Sequence, residues 1–176
     1  RVLERDAPAV GLYVRRTHAA FLLQNGAEYL AAHALGVCEF VLESHWAPAW
    51  KGHAGLHVLG VALLVYGQVL RTLAMVHAST NFTHALAHTK ADGHVLVTTG
   101  VYAFARHPSY AGFFWWAVGT QVLLGNPVAL VMFIVALTRF FADRIRVEEA
   151  ALCAFFGDAY RAYRARVRAG VPLVVT

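Results

Sequence analysis

The stretch "LHVLGVALLVYGQVLRTLAMV", residues 56–76, decides the fold class because it is apolar almost throughout. Its one charge, Arg71, lies near its end. As an α-helix, about 21 residues are enough to span a hydrocarbon core about 30 Å thick. The stretch therefore predicts a transmembrane helix, which we place at residues 54–78.

Two further apolar regions extend this prediction to the rest of the chain. Residues 21–42 form a more polar block that contains Glu28 and Glu39, and we expect a helix at 18–43 followed by an interfacial loop at 44–53 with two tryptophans. Of the 176 residues, 59% are hydrophobic and 14% charged, whereas soluble domains seldom exceed about half apolar. The composition predicts an integral membrane protein, all-α and polytopic.

The third apolar region, residues 110–141, is divided by Asn126-Pro127. Proline lacks an N–H and biases the preceding residue away from helix, so the dipeptide indicates a turn. Residues 110–125 and 128–141 then form a re-entering helical hairpin, and Pro108 suits the first turn of the incoming helix. We expect the last helix to stop near Gly157 and a short amphipathic surface helix to cover 158–170.

The distribution of charge excludes some function classes. The net charge of +5 could suggest nucleic acid, but no basic-aromatic pattern typical of single-strand binding lies outside the apolar blocks. The cluster Arg161, Arg164, Arg166 and Arg168 follows the membrane segments, which is typical of a cytoplasmic face near anionic headgroups.

Cys38 and Cys153 are far apart, so neither a disulfide framework nor a thiolate metal site is indicated.

Ionisable residues beside the apolar blocks are the first candidates for chemistry, because burying them at membrane depth is costly. The informative set is Arg139, Asp143, Arg144, Glu148 and Glu149. Arg144 and Glu148 are four residues apart and share a helical face, which fits either a helix-end ion pair or a functional pair. Residues 79–109 are too polar to span a membrane, and we predict that they form an ordered functional loop.

Two other function classes are compatible with the residues. His53/His57 and His84/His88 have HxxxH spacing, which places two imidazoles on one helical face, as in membrane di-iron hydroxylases and desaturases. No HxxHH element follows, so we expect no metal site. A non-catalytic lipid-binding membrane protein explains the apolar blocks but not the polar groups at 94–110 and 144–149.

Two long segments carry a family resemblance. "HVLVTTGVYAFARHPSYAGFFWWAVGTQVLLGNP" (94–127) and "RFFADRIRVEEAALCAFFGDAYRAYRARVRAGVPLV" (139–174) resemble the C-terminal half of the isoprenylcysteine carboxyl methyltransferase family. The likeness extends weakly upstream through "NGAEYLAA", "CEFVLE" and "TNFTH", and the order RHPSY, GTQ, NP, RxxxE makes it specific. Phospholipid-type membrane methyltransferases and sterol reductases share parts of this pattern and are the near alternatives.

The resemblance implies an activity and an organisation. Its members methylate the C-terminal prenylcysteine of CaaX proteins, such as small GTPases and lamin-like proteins, with S-adenosylmethionine as cofactor. It implies a multi-pass protein of the endoplasmic reticulum membrane, with the active site facing the cytoplasm. Residues 1–176 would form one domain, with transmembrane helices at 18–78, a cofactor loop at 79–109, the hairpin at 110–141 and cytoplasmic C-terminal helices at 142–176. Because the family has additional helices before residue 1, the chain is expected to be an N-terminally incomplete fragment.

The resemblance also implies site residues. Arg144 would face the substrate carboxylate and, with Glu148, form the catalytic pair. Ala87 stands where a cofactor-contacting glutamine is expected, so contact there could come only from backbone or apolar surface. The implied cofactor-binding residues are His94, Val95, Leu96, Val97, Tyr102, His107, Pro108, Ser109, Tyr110 and Glu148.

Overall fold

The structure is a computed structural model, and it describes residues 26–81 and 95–175. Within these ranges the chain is helical and has no strand, which confirms the predicted all-α class. Two 3-10 turns, Ser79–Asn81 and Gly100–Ala103, flank the gap between the ranges. The α-helices are α1 Gly26–Trp46, α2 Pro48–Lys51, α3 Ala54–Ala78, α4 Pro108–Leu124, α5 Pro127–Phe156 and α6 Asp158–Arg166.

Helix α3, Ala54–Ala78, has the bounds predicted from the apolar stretch at its centre. Among the described helices it is the one that is long and apolar enough to cross a membrane, judged by length and composition. Several of its large side chains, including Val58, Val65 and Val76, are exposed. Crossing of the membrane by more than one helix stays a prediction.

Helices α3 and α4 pack closely because glycines line their contact. A Cβ at Gly60 would lie 2.5 Å from backbone atoms of Leu123, and a Cβ at Gly67 would lie 2.6 Å from the carbonyl oxygen of Gly112. Gly119 meets α3 in the same way, at 2.7 Å from a backbone nitrogen. The contacts run in opposite order along the two helices, so the pair is antiparallel, and only residues without a side chain allow this approach.

The turn between α4 and α5 contains the predicted Gly125-Asn126-Pro127. Gly125 adopts a left-handed conformation with φ of 61°, which favours glycine at the end of a helix. Asn126 is 1% exposed, and Pro127 is the first residue of α5. The predicted helix start at Pro108 is also confirmed. That these helices re-enter a membrane together stays a prediction.

Four polar residues hold this turn, and we name them the turn cluster: Glu39 of α1, Lys51 of α2, Gln121 of α4 and Asn126 of the turn itself. Both oxygens of the buried Glu39 carboxylate accept N–H groups from the first turn of α5, each at 2.7 Å. The ammonium group of Lys51 donates to the carbonyls of Leu124 and Gly125, at 3.0 and 2.9 Å, and to Asn126 Oδ1 at 2.7 Å. Asn126 Nδ2 donates to Gly36 O at 2.9 Å and to Gln121 Oε1 at 3.2 Å. The cluster therefore caps both helices that meet at the turn.

Two predicted boundaries are wrong. Helix α1 runs to Trp46 rather than 43, because its backbone bonding continues to Ala47, whose N–H donates to Glu43 O at 2.7 Å. The expected loop at 44–53 therefore holds the end of α1 and the short helix α2. Helix α6 ends at Arg166 and not at 170, because the carbonyls beyond it bond to another part of the chain.

Candidate active site

Arg106 and His107 directly precede α4 and are both buried. The Arg106 N–H donates to Arg168 O at 2.9 Å, and the His107 N–H donates to Ala169 O at 3.0 Å. Pro108 then begins α4, where a missing N–H costs nothing. The segment that follows α6 therefore holds the backbone at the start of the RHPSY sequence in place.

The Glu149 carboxylate on α5 lies at the centre of three cationic or basic groups. Its side chain is 3% exposed, and Oε1 lies 2.7 Å from Arg106 Nε and 2.5 Å from Arg106 Nη2. His107 Nε2 is 3.3 Å from the same oxygen, and Arg164 Nε is 3.0 Å from Oε2. Burial alone would raise the pKa of Glu149, but the hydrogen bonds and charges of His107 and Arg106 outweigh it and lower this pKa. The buried carboxylate thus stays ionised and joins α4, α5 and α6.

The Tyr110 hydroxyl connects the two residues that the sequence placed on one helical face. It donates to Glu148 Oε2 and accepts from Arg144 Nε at 2.8 Å. The guanidinium carbon of Arg144 also lies 5.4 Å from the centre of the Tyr110 ring, a cation–π distance. The shared face of α5 predicted for Arg144 and Glu148 is therefore observed, with a tyrosine from α4 between them.

The His107 imidazole lies between the two neighbouring carboxylates of α5. Its ring stacks on Tyr110 with centroids 5.5 Å apart and planes 3° from parallel. Its Nδ1 is 4.0 Å from Glu148 Oε2, while its Nε2 faces Glu149. The Glu148 side chain is 30% exposed, so this carboxylate borders the surface that the others close off. We name Arg106, His107, Tyr110, Arg144, Glu148 and Glu149 the site cluster.

Tyr102 reaches this region from the turn Gly100–Ala103. Its hydroxyl donates to Ala74 O on α3 at 3.2 Å, and its own carbonyl accepts from the Tyr163 hydroxyl at 2.6 Å. Burial raises the pKa of Tyr102 to about 12, and the negative charge of Glu148 adds to this shift. Tyr102 is thus a neutral hydroxyl anchored on α3, within the field of the Glu148 carboxylate.

The structure brings four of the residues implied by the resemblance into direct contact: His107, Tyr110, Arg144 and Glu148. Tyr102 lies close enough for the charge of Glu148 to influence its pKa, but it bonds to Ala74 and Tyr163 instead. Their roles toward a cofactor or a substrate remain predictions.

The remaining predicted residues are placed differently. Pro108 and Ser109 occupy the first turn of α4, where Arg71 Nη1 lies 3.4 Å from both the carbonyl and the hydroxyl of Ser109. The Val95 N–H donates to Asn81 Oδ1 at 2.9 Å, and Leu96 and Val97 follow it as non-helical, half-buried residues. His94 and Ala87 lie outside the described residues.

The sequence did not predict that Arg106, Glu149 and Arg164 are bonded to one another. Arg106 and Glu149 neighbour predicted site residues, and their burial is what marks them in the structure. The sequence places Arg164 with its neighbouring arginines near anionic headgroups. In the structure its Nε bonds to the buried Glu149 carboxylate of the site cluster. Helix α6 is amphipathic as predicted, since it buries Tyr160 and Tyr163 against the protein and exposes its other residues.

The histidine pairs considered for a metal receive no support from the described part of the chain. His53 and His57 are both exposed near the start of α3. Within residues 26–81 and 95–175, no group of three or more His, Cys, Asp or Glu side chains could hold a metal ion. His84 and His88 lie outside those ranges.

Comparison with solved structures gives the class of the protein. The fold matches that of a eukaryotic intramembrane Ras methyltransferase, isoprenylcysteine carboxyl methyltransferase, with a TM-score of 0.81 and 40% sequence identity. The match covers 83% of this chain and 52% of that structure. The fold is therefore that of an intramembrane methyltransferase.

Comparison of sequences gives the family. The isoprenylcysteine carboxyl methyltransferase (ICMT) family profile matches residues 59–154. The protein-S-isoprenylcysteine O-methyltransferases of Saccharomyces cerevisiae and Homo sapiens are 47% and 44% identical over 161 and 155 residues, each match covering 88% of this chain. The chain belongs to the isoprenylcysteine carboxyl methyltransferase family. It spans 67% of the yeast relative and 55% of the human one.

Proposed function

We propose that this chain carries the catalytic part of a protein-S-isoprenylcysteine O-methyltransferase, which esterifies the C-terminal prenylcysteine carboxylate of CaaX-processed proteins with a methyl group from S-adenosylmethionine. The observation that carries the proposal is the Tyr110 hydroxyl held between Arg144 and Glu148. It puts a buried cation and a partly exposed carboxylate side by side. Such a pair suits two charged reactants of opposite sign.

The residues around Glu148 fit S-adenosylmethionine. When bound, this cofactor supplies an electrophilic methyl group on a positively charged sulfonium. Glu148 offers a negative charge at the edge of the site cluster, and the aromatic rings of His107 and Tyr110 lie directly beside it. These contacts support Tyr102, His107, Tyr110 and Glu148 as cofactor-binding residues, and His94, Val95, Leu96, Val97, Pro108 and Ser109 complete the proposed set.

Arg144 would bind and orient the substrate carboxylate. A C-terminal carboxyl group has an ordinary pKa of about 3.5, so at neutral pH it is already a nucleophile and needs no general base. The task of the protein is then positioning, for which a planar guanidinium with two parallel donors is well suited. The hydrogen bond from Arg144 Nε to Tyr110 fixes the plane of that guanidinium. Exclusion of water on substrate binding would favour reaction between the opposite charges.

The substrates are proposed from the same chemistry. A prenyl chain is apolar and would lie against exposed apolar faces of the helices, where burial supplies most of its affinity. Small GTPases and lamin-like proteins that end in prenylcysteine are the proposed protein substrates. The proposed location is the endoplasmic reticulum membrane, in a multi-pass arrangement with the site cluster facing the cytoplasm.

The activity is tested by transfer of a labelled methyl group from S-adenosylmethionine to N-acetyl-farnesylcysteine. The matched control substrate is the methyl ester of the same compound, whose carboxylate is blocked. We expect label on the acid alone, with no requirement for added metal. Equal labelling of phosphatidylethanolamine would instead favour a phospholipid methyltransferase, and no transfer to any acceptor would refute the proposal.

The orientation is tested by labelling. Ala103 and Ala165 are both exposed and lie in the two segments that the proposal places on the cytoplasmic side. Cysteines introduced there in the membrane-embedded protein should both react with an impermeant reagent applied from the cytoplasm. Labelling of the two positions from opposite sides would contradict a shared membrane face.

A further inference from the structure

His77, in the last turn of α3, lies directly against the turn that carries Tyr102. The Val101 N–H donates to His77 Nδ1 at 3.2 Å. Gly100 has a φ of 60°, and a Cβ at this position would lie 2.8 Å from Cγ and Cε1 of the His77 ring. The imidazole therefore bonds to the turn and also packs so closely against it that only glycine fits at position 100.

The hydrogen bond requires one protonation state of His77. Nδ1 accepts an N–H only when it carries a lone pair, which the neutral imidazole with its proton on Nε2 provides. In the imidazolium both ring nitrogens are donors, so protonation would set an N–H of the ring against the Val101 N–H. Histidine is the side chain whose ordinary pKa lies closest to neutrality.

We propose that His77 is a positioning residue that holds the turn Gly100–Ala103, and with it Tyr102, in place for S-adenosylmethionine, and that proton binding to His77 weakens cofactor binding. The inference rests on the proposed function, in which Tyr102 lines the cofactor site. His77 itself lies on α3, outside the site cluster, and acts through the backbone of the turn.

Other contacts of the turn do not respond to pH near neutrality. The Tyr102 hydroxyl bonds to Ala74 O, and the Tyr163 hydroxyl bonds to the Tyr102 carbonyl. Burial raises the pKa of both tyrosines to about 12, so neither ionises in the range of histidine. Among the described contacts of the turn, the one to His77 is therefore the one that requires a neutral imidazole, while the tyrosine contacts persist.

Other charged and titratable groups lie on α3 and on the parts of the chain packed against it, among the described residues. Arg71 lies on α3 itself, Tyr110 on α4, and His107 and Glu148 belong to the neighbouring site cluster. Because these groups are the same in every variant, the pH profile of the wild-type protein is compared with that of a variant in which only position 77 is changed.

Two amide substitutions separate position from charge. In His77→Asn the side-chain oxygen can take the place of Nδ1 and accept the Val101 N–H without titrating, whereas in His77→Gln the amide lies one bond further out, near the place of Nε2. The affinity for S-adenosylmethionine is measured by calorimetry on the detergent-solubilised full chain, between about pH 5.5 and 8 around the ordinary histidine pKa. Melting curves of both variants that match the wild type will establish that they fold.

At about pH 8, around the upper end of the histidine range, we expect wild type and His77→Asn to bind S-adenosylmethionine equally well. His77→Gln should bind it about threefold to tenfold more weakly, which corresponds to the loss of one hydrogen bond. On acidification the affinity of the wild type should fall more steeply than that of His77→Asn. Wild-type affinity in His77→Gln would overturn the positioning role, and parallel pH profiles for wild type and His77→Asn would overturn the role of the proton.

Hydrogen exchange at the Val101 amide supplies a readout without ligand. Protection of this amide should survive in His77→Asn and fall in His77→Gln, and in the wild type it should fall on acidification relative to His77→Asn. If the wild type binds no S-adenosylmethionine, the proposed function fails, while the exchange data still decide whether His77 holds the turn. Equal protection in all three proteins would overturn the anchor itself.

Discussion

The turn cluster and the site cluster lie at opposite ends of helix α4 and use buried charge differently. In the turn cluster, charged side chains bond to backbone groups at helix ends, as Glu39 does at the start of α5 and Lys51 at the end of α4. Those backbone groups lack partners within their own helices, so the charges complete the architecture. Nothing in this arrangement calls for a ligand.

In the site cluster, side chains bond mainly to one another. Tyr110 lies between Arg144 and Glu148, and His107 lies between Glu148 and Glu149. Glu149 is almost fully buried, whereas Glu148 is 30% exposed. The comparison teaches that burial of charge alone does not mark a functional site. The two ends differ in emphasis: Glu39 and Lys51 bond mainly to backbone groups where α4 and α5 meet, whereas Arg144, Tyr110 and Glu148 bond side chain to side chain.

The largest effect is expected inside the site cluster, at its most buried member. Glu149→Gln should lower the free energy of unfolding by about 3 kcal/mol, because the buried Arg106 guanidinium loses its charge partner. The pKa of Glu149 is lowered in the folded state, so its stabilising contribution is full above the ordinary carboxyl pKa of about 4.3 and is lost as the pH falls through the lowered value. Chemical unfolding in detergent at several pH values measures both effects. Equal stability and equal acid sensitivity in the two proteins would show that Glu149 is not the structural centre of the cluster.

The next effect separates reaction from binding. Arg144→Lys should reduce methyl transfer to N-acetyl-farnesylcysteine by about 100-fold, because an ammonium group cannot hold a carboxylate in a plane and small displacements are costly. Affinity for S-adenosylmethionine should survive. Arg146→Lys is the matched control, since Arg146 is exposed and pairs with Asp143 on the outer face of α5. Full activity in Arg144→Lys would exclude the carboxylate-binding role.

Glu148→Gln tests the accessible carboxylate. It should weaken S-adenosylmethionine binding by about tenfold, equivalent to about 1.4 kcal/mol, because the negative charge proposed to face the cofactor becomes neutral. The melting temperature should change little, since Glu148 is partly exposed. Calorimetric titration measures the affinity, and an unchanged value would reduce Glu148 to a structural partner of Tyr110.

The smallest effect is expected in the turn cluster. Here stability should fall while cofactor affinity stays the same, the reverse of the result expected for Glu148→Gln. Glu39→Gln should lower the free energy of unfolding by about 1 kcal/mol, because one of the two acceptors at the N-terminus of α5 is replaced by an amide donor and the favourable charge is lost. Cofactor affinity should stay the same. A loss of affinity without a loss of stability would break the distinction between the two ends of α4.

Local signals in the sequence were enough for much of the fold. An apolar stretch of sufficient length gave the bounds of α3, and Pro108, Gly125 and Gly157 mark helix ends in the structure as predicted. These signals act within one or two turns of helix, so neighbouring residues decide them. The spacing of Arg144 and Glu148 likewise places them on one face without coordinates.

Contacts between distant residues could not be predicted in this way. Arg106 and Glu149 are 43 residues apart, and Glu39 lies 90 residues before one of the N–H groups that it accepts. The sequence shows an ionisable residue in each place but does not say which partner it meets. For the same reason Arg164 was grouped with the exposed arginines, although the packing of α6 turns it toward Glu149.

The backbone bonds from Arg106 and His107 to Arg168 and Ala169 have a consequence for biosynthesis. The ribosome makes Arg106 and His107 before it makes the residues whose carbonyls hold them in the folded protein. Until Arg168 and Ala169 have been made and have left the ribosome, those two N–H groups lack these partners. A nascent chain therefore cannot fix the backbone at the start of α4 as in the folded protein until residues up to 169 have emerged.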